Sequence, residues 1–95
     1  MRADITHKIP QGKMVRLTLE YDTTILHSAQ ICGDFFVHPE ETIAAMEQAL
    51  VKIPVESTRE RVQHILDGVV ERHHAQLIGV DTPTLSQLIC EAINQ

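Results

Sequence analysis

The chain has 95 residues, a length that suits one domain with a single modest core. Its hydrophobic fraction of 43% and charged fraction of 22% are those of an ordinary folded chain, and only 3% aromatic residues predicts an aliphatic core. The net charge of -5 lacks the electrostatic footprint of a nucleic-acid-binding protein, and no apolar run reaches the roughly 20 residues of a membrane span. We therefore expect a cytoplasmic protein that contacts neither nucleic acid nor membrane.

Residues 1–13 are predicted to form an extended leader, with a turn at Pro10-Gln11-Gly12 because proline fixes φ and glycine tolerates positive φ. The leader has no apolar stretch of the kind found in secretory signal peptides. Residues 14–21 alternate between apolar and polar side chains, the period of a half-buried strand. A second, less regular strand follows a short turn, which predicts an antiparallel hairpin over Met14–Cys32. The predicted inward-facing residues of the hairpin are Val15, Leu17, Leu19, Tyr21, Ile25, Ala29 and Ile31.

Three helices are predicted after the hairpin, from apolar stripes with the spacing of one helix face. Pro39 suits the first position of the first helix, because its missing N–H costs nothing there. Ser57 with Glu60 fits a capping box for the second helix. Asp81 with Pro83 offers a cap and a first-turn proline for the third. The stripes are Ile43, Met46 and Leu50; Val62, Ile65, Leu66, Val69 and Val70; and Leu85, Leu88, Ile89, Ala92 and Ile93.

Each predicted helix and the first strand has a single apolar face. Two packed layers bury all of these faces at once, which predicts an α+β fold: a small antiparallel sheet with about three α-helices packed on one side. The chain has no internal repeat and no low-complexity segment. Residues 1–95 are therefore expected to form a single domain.

No group of side chains has the spacing of a catalytic or metal site. No two of the six histidines are three or four residues apart, the spacing at which one helix presents two ligands to zinc, so they are interpreted as surface residues. The GxSxG, GxGxxG and GxxxxGK[ST] patterns are also missing from the sequence. We expect no catalytic residue and no metal ligand in this chain.

The two cysteines, Cys32 and Cys90, lie far apart in the sequence without CxxC spacing. With no secretion signal, free thiols are expected in place of a disulfide. Cys90 falls beside an apolar helix stripe, which indicates packing. Two alternatives are open for Cys32: a small apolar residue within the sheet, or a reactive thiol near a helix N-terminus, where the helix dipole favours the thiolate.

The stretch QICGDFFVHPEE contains both phenylalanines of the chain, side by side in Gly33-Asp34-Phe35-Phe36. Neighbouring residues of an extended segment point in opposite directions. Either one phenylalanine enters the core while the other becomes an exposed anchor for a partner, or the turn into the first helix buries both.

A lead-in of the form K-x-P-x-G-K, a hairpin, a GDFF corner and an acidic helix follow one another in this chain, and LIGVDTPTLSQLICEAI closes it. In this order the features resemble the small C-terminal, or accessory, domain of lipoate–protein ligases, and the resemblance covers most of the sequence. The matching residues of the lead-in are Lys8, Pro10, Gly12 and Lys13, and those of the corner are Gly33, Asp34, Phe35 and Phe36.

In these ligases the large domain holds the lipoate tunnel, the adenylate-binding residues and the catalytic lysine, none of which this short chain can contain. Because the chain starts with Met1 like a complete protein, the resemblance implies the separate small subunit of a two-component ligase. Such a subunit forms a heterodimer with the large catalytic subunit and enables ATP-dependent activation of lipoate to lipoyl-AMP. The lipoyl group then passes to a lysine of a lipoyl-acceptor domain. Lipoate, ATP and Mg are expected to be handled by the complex, with no cofactor bound by this chain alone.

The resemblance supplies no catalytic residue for this sequence. Contacts with the partner are expected at the sheet edge, at the corner formed by Gly33, Asp34, Phe35 and Phe36, and at Lys13. As a flexible point charge Lys13 is a candidate to reach phosphate or carboxylate at the interface, and a solvated surface lysine is the alternative.

Two other functions are consistent with the sequence. A hairpin ending in Cys-Gly-Asp before helices is also similar to iron–sulfur scaffold and sulfur-acceptor proteins, in which Cys32 would receive a persulfide or bind a cluster. Such scaffolds use several converging cysteines, whereas Cys90 lies far along a helix. The second alternative is a general interaction module with no link to lipoate.

Overall fold

The structure is a computed structural model that describes residues 1–9 and 13–94, so the turn predicted at Pro10-Gln11-Gly12 lies outside the described residues. Its elements, in chain order, are β1 (Arg2–Ile9), β2 (Lys13–Tyr21), β3 (Leu26–Gly33), β4 (Phe36–His38), α1 (Glu41–Leu50), α2 (Arg59–Arg72), β5 (Gln76–Ile78) and α3 (Thr82–Ile93). None of the described helices is both long and apolar enough to cross a membrane.

Strands β1, β2 and β3 form an antiparallel sheet with β2 in the centre. The predicted hairpin is therefore present as β2–β3. Within the segment 1–13 that was predicted as an extended leader, Arg2–Ile9 is extended but forms strand β1, which pairs with β2 from Arg2 opposite Glu20 to Ile9 opposite Lys13. This third strand is the main addition to the predicted sheet.

One face of the sheet is buried and the other faces solvent. The inward residues of β2 are the predicted ones, with Val15, Leu17 and Leu19 fully buried. The pattern of β3 was predicted incorrectly at its start, where Leu26 is fully buried and Ile25 only half-buried. The β2–β3 register shifts at Glu20/Tyr21, and this irregularity breaks the alternation from which Ile25 was chosen.

The three helices lie on the apolar face of the sheet and complete one aliphatic core, which confirms the predicted α+β fold. The predicted stripes supply the core residues of the helices, with Ile43, Ile65, Val70 and Ile93 only partly buried. The fully or nearly fully buried helix residues include Met46, Leu50, Val62, Leu66, Val69, Leu85, Leu88, Ile89 and Ala92.

Two of the predicted helix starts are wrong by one or two residues. Pro39 follows a cis peptide bond and precedes Glu40, the N-cap of α1, so it is not the first helical residue. The cap of α2 is Thr58, whose hydroxyl accepts from the backbone N–H of Arg61 at 3.2 Å. The Ser57 hydroxyl instead donates to the carbonyl of Pro54. The Asp81 cap of α3 was predicted correctly.

Candidate partner-binding surface

The corner begins where β3 meets β2 at its closest approach. Gly33 has a φ of 155°, and a Cβ placed there would lie 2.1 Å from the carbonyl oxygen of Met14. The next residue, Asp34, donates its backbone N–H to the same oxygen at 2.9 Å. Only glycine leaves room for this contact, which ends the pairing of β3 and directs the chain out of the sheet.

After the corner the chain forms β4, which pairs with β5 in a separate two-stranded antiparallel ribbon. Neither strand was predicted, because three residues are too few for a periodic pattern. Phe36 and Ile78 stand directly opposite each other in this ribbon, with exposed fractions of 68% and 52%. Cross-strand neighbours of this kind lie about 5 Å apart at Cβ, so they form one exposed apolar pair.

The two phenylalanines point in different directions, as the first of the two alternatives predicted. Phe35 is partly buried and packs against the core, whereas Phe36 is the exposed one. Asp34 is exposed as well, and within the described residues its side chain makes no hydrogen bond.

Lys13 lies beside the corner although it is twenty residues away in sequence. A Cβ built on Gly79 would lie 3.5 Å from Cβ of Phe35 and 3.6 Å from Cγ of Lys13, so these three residues meet at the end of β5. The φ of 90° at Gly79 favours glycine at this position. Sequence reasoning missed the contribution of Ile78 and Gly79, for which the only signal was the glycine itself.

A groove of about 550 Å³ opens at this meeting point, between the end of β1 and the start of α3. A smaller hollow of about 150 Å³ continues from it along α3. The first is lined by Ile9, Lys13, Ile78, Gly79, Val80, Asp81 and Thr84, and the second by His7, Ile9, Thr84, Gln87, Leu88 and Glu91. Because Ile9 and Thr84 line both, the two form one continuous concave surface.

The lining of this surface carries both signs of charge, with Lys13 against Asp81 and Glu91, whereas the first two strands are the basic part of the chain. Residues 1–21 hold four of the eight lysines and arginines but only two of the thirteen acidic residues. The carboxylate of Asp81 in the groove is already used, because it accepts the N–H of Thr84 at 2.8 Å as the cap of α3. Lys13 is the basic side chain that lines the groove.

The two cysteines lie on different elements of the structure. Cys32 is exposed on β3, whereas Cys90 is partly buried on α3 with its thiol 3.7 Å from the carbonyl of Ser57. Burial raises the pKa of the Cys90 thiol, and Glu60 acts in the same direction. Within residues 1–9 and 13–94, no three histidine, cysteine or acidic side chains converge as metal ligands would.

Comparisons with known proteins find a solved structure that is similar to this chain. No family model matches the chain, and no curated protein does either. A solved structure from Thermoplasma acidophilum matches with a TM-score of 0.75 and 25% identity, over 94% of this chain and 94% of that chain. That structure is described as an archaeal lipoylation system, a bi-partite lipoate protein ligase and its E2 lipoyl domain. The protein is thus similar, over nearly its whole length, to a component of a lipoylation system.

Proposed function

We propose that the protein is the non-catalytic accessory subunit of a two-component lipoate–protein ligase. The observation that carries this proposal is the match to the Thermoplasma acidophilum lipoylation system, which contains a bi-partite ligase. Since 94% of each chain is covered, the matched chain is about as long as this one and corresponds to it as a unit. The resemblance of the lead-in and the GDFF corner to the accessory domain of such ligases supports the same assignment.

In this role the protein binds the large catalytic subunit and enables activation of lipoate with ATP to lipoyl-AMP. The large subunit then transfers the lipoyl group to a lysine of an acceptor domain. A chain without catalytic groups can promote the first step by covering the pocket of its partner, because closure excludes water and orders the loops that hold the substrate. Lipoate, ATP and Mg are substrates and ions of the complex in this proposal.

The corner and the β4–β5 ribbon supply contacts to the partner in this proposal. Phe36 and Ile78 expose a paired apolar surface at the rim of the groove that Lys13 lines. Exposed aromatic side chains of this kind carry much of the binding energy at protein interfaces. Phe36 is a better probe than Phe35, because Phe35 also packs against the core.

The test is lipoate-dependent ATP–pyrophosphate exchange by the separately purified large subunit, with and without this protein. Exchange that requires both chains is the expected result. The Phe36→Ser variant should weaken binding of the large subunit about 10- to 30-fold while the free chain stays folded. His64→Ser, at an exposed position on α2, is the matched control and should leave the affinity unchanged.

Two outcomes would overturn the proposal. If the large subunit transfers preformed lipoyl-AMP but the pair gives no exchange, the likeness extends to the fold alone, and the exposed Cys32 becomes the next group to test. If mass spectrometry finds the lipoyl group attached to a lysine of this chain, the protein is an acceptor and not a ligase subunit.

A further inference from the structure

The outer edge of β1 presents a regular row of backbone groups. Met1 and Tyr21 exchange both backbone hydrogen bonds, at 2.6 and 2.9 Å. This pair shows that the odd-numbered residues of β1 are the ones bonded to β2. In an antiparallel ladder every second residue is bonded to the neighbouring strand, and the residues between them direct their N–H and C=O away from it. The outward residues of β1 are therefore Arg2, Asp4, Thr6 and Lys8.

Within the part of the chain that the structure describes, these outward groups have no hydrogen-bond partner. The row is long for an edge, since β1 extends over 8 residues without a bulge in its register with β2. An unpaired edge of this length is a template for one more strand, which would satisfy all of its donors and acceptors at once.

A hollow lies beneath this edge on the core side. It holds about 150 Å³ and is lined by residues of β1, namely His7 and Ile9, and by Leu88 and Glu91 of α3. A strand added to β1 would direct every second side chain towards α3, over this hollow. The main-chain bonds would provide affinity and the hollow would select the side chain that fills it.

One end of the solvent face beside the added strand is basic, because Lys8 and Arg16 lie there. At the other end the charge is balanced, since Nε of Arg2 lies 3.3 Å from the carboxylate of Asp4 and Glu20 stands opposite Arg2. The complementary occupant therefore carries acidic residues where it meets Lys8 and Arg16. A second copy of this chain would bring its own basic β1 to the same edge, so charge favours a different partner.

We infer that the β1 edge binds an extended, acidic segment of the large subunit as a fourth strand of the sheet. This inference rests on the proposed function and adds the mode of binding. The segment would run along β1 and past Ile9 into the groove at Lys13 and Ile78, because the two hollows are continuous. The edge and the corner would then form one interface.

The test removes a single outward N–H. Thr6→Pro deletes a donor that β2 does not use, so the free chain should stay folded, and proline is tolerated at edge strands for this reason. Affinity for the purified large subunit, measured by calorimetry, should fall about tenfold or more. Thr6→Val keeps the N–H while changing the side chain, and its affinity should stay within about threefold of the wild type.

Hydrogen exchange provides a readout that needs no variant. The amides of Asp4, Thr6 and Lys8 should become protected when the large subunit binds, whereas the amides of Ile5 and His7 are already bonded within the sheet. Wild-type affinity of Thr6→Pro, or a complex without this added protection, would overturn the inference while leaving the proposed function intact. An absence of any complex would overturn both. A dimer of the isolated chain that Thr6→Pro abolishes would assign the edge to a second copy instead.

Discussion

The two edges of the three-stranded sheet use their backbone groups differently. At the β3 edge, Glu47 of α1 accepts the N–H of Ile31 at 2.7 Å, and Leu26 bonds to the backbone of Lys52 and Ile53 at 2.7 and 2.9 Å. At the β1 edge, the outward groups have no such partners among the described residues. The chain thus occupies part of the β3 edge with its own groups, which makes this edge less able to add a strand than the β1 edge. The comparison therefore identifies the β1 side as the one available to a partner.

The open edge also carries features that restrict what it binds. Charged side chains on an edge oppose indiscriminate pairing with other strands. Such charges lie along β1 at Arg2, Asp4 and Lys8, and Nε of Arg2 is 3.3 Å from Oδ2 of Asp4. An edge that is open yet charged suits a single complementary segment better than a copy of itself.

Gly33→Ala is expected to cause the largest loss of stability at the β3 edge. A Cβ at this residue would lie 2.1 Å from the carbonyl oxygen of Met14, and a backbone atom cannot move aside cheaply. We expect a loss of about 3 kcal/mol in the free energy of unfolding, measured by urea denaturation, because β3 must separate from β2 at the corner.

Gly68 is the matched control for Gly33. It lies within α2, where a Cβ would meet only the guanidinium of Arg72 at 3.5 Å. Gly68→Ala should stabilise the chain by roughly 0.5–1 kcal/mol, since alanine is the better helix former. Equal effects of the two substitutions would contradict the close approach at the corner.

Two single proline variants at neighbouring positions test which N–H groups of β1 bond to β2 and which point outward. His7→Pro removes an N–H that bonds to β2 and places its ring against the carbonyl on that strand, so roughly 2–3 kcal/mol should be lost. Thr6→Pro removes an outward N–H and should cost less than about 1 kcal/mol. Both side chains are exposed, so most of the difference comes from the backbone, although His7 also lines the smaller hollow. Thermal unfolding of the two variants measures this difference in stability. A larger loss for Thr6→Pro than for His7→Pro would mean that the even-numbered residues of β1 are the ones bonded to β2.

The core was the predictable part of the fold. The alternation of Val15, Leu17 and Leu19 and the helix stripes have long regular periods, so their buried faces could be assigned from the sequence. β1 has the same alternation, but its inward positions hold Ala3 and His7 among the isoleucines, and this weak apolar contrast led to its assignment as a leader.

The candidate surface was only partly predictable, because it depends on contacts between distant segments. Lys13 and the corner could be singled out by their resemblance to a family motif. Their meeting with Ile78 and Gly79 could not be, since a strand of three residues leaves no periodic signal. Which residues of β1 point their backbone groups outward follows from the bonds between Met1 and Tyr21. No local sequence pattern predicts these bonds.

Glu47→Ala would open the closed edge without disturbing the core. The N–H of Ile31 would lose its acceptor at 2.7 Å, and a partly buried donor left unpaired costs about 1–2 kcal/mol. Thermal unfolding should show a fall in Tm of roughly 4–8 °C per kcal/mol for a chain of this size. Glu47→Gln retains a side-chain oxygen as acceptor and should recover part of the loss. An unchanged Tm for Glu47→Ala would mean that water replaces the carboxylate at this edge at no cost.

The smallest expected effect is a difference in how two carboxylates make stability depend on pH. Asp22 lies in the turn before the β3 edge, and Asp4 lies on the β1 edge. The N–H of Ile25, with the N–H and hydroxyl of Thr24, holds the pKa of Asp22 well below its ordinary value of 3.8 in the turn that leads into the closed edge. The Thr18 hydroxyl lowers the pKa of Asp4 on the open edge, with Arg2 acting in the same direction.

A carboxylate whose pKa is lower in the folded chain contributes stability above its unfolded pKa, and this contribution is lost as the pH falls. The free energy of unfolding should therefore decline as the pH falls from about 5 to 2. Asp22→Asn keeps an acceptor for Ile25 but cannot titrate, so it should flatten this decline. Asp4→Asn should flatten it less, because Asp4 accepts from one hydroxyl beside Arg2, whereas Asp22 accepts two backbone N–H groups in addition to the Thr24 hydroxyl. Equal flattening by the two variants in urea titrations across this pH range would show that acid stability does not distinguish the closed side of the sheet from the open one.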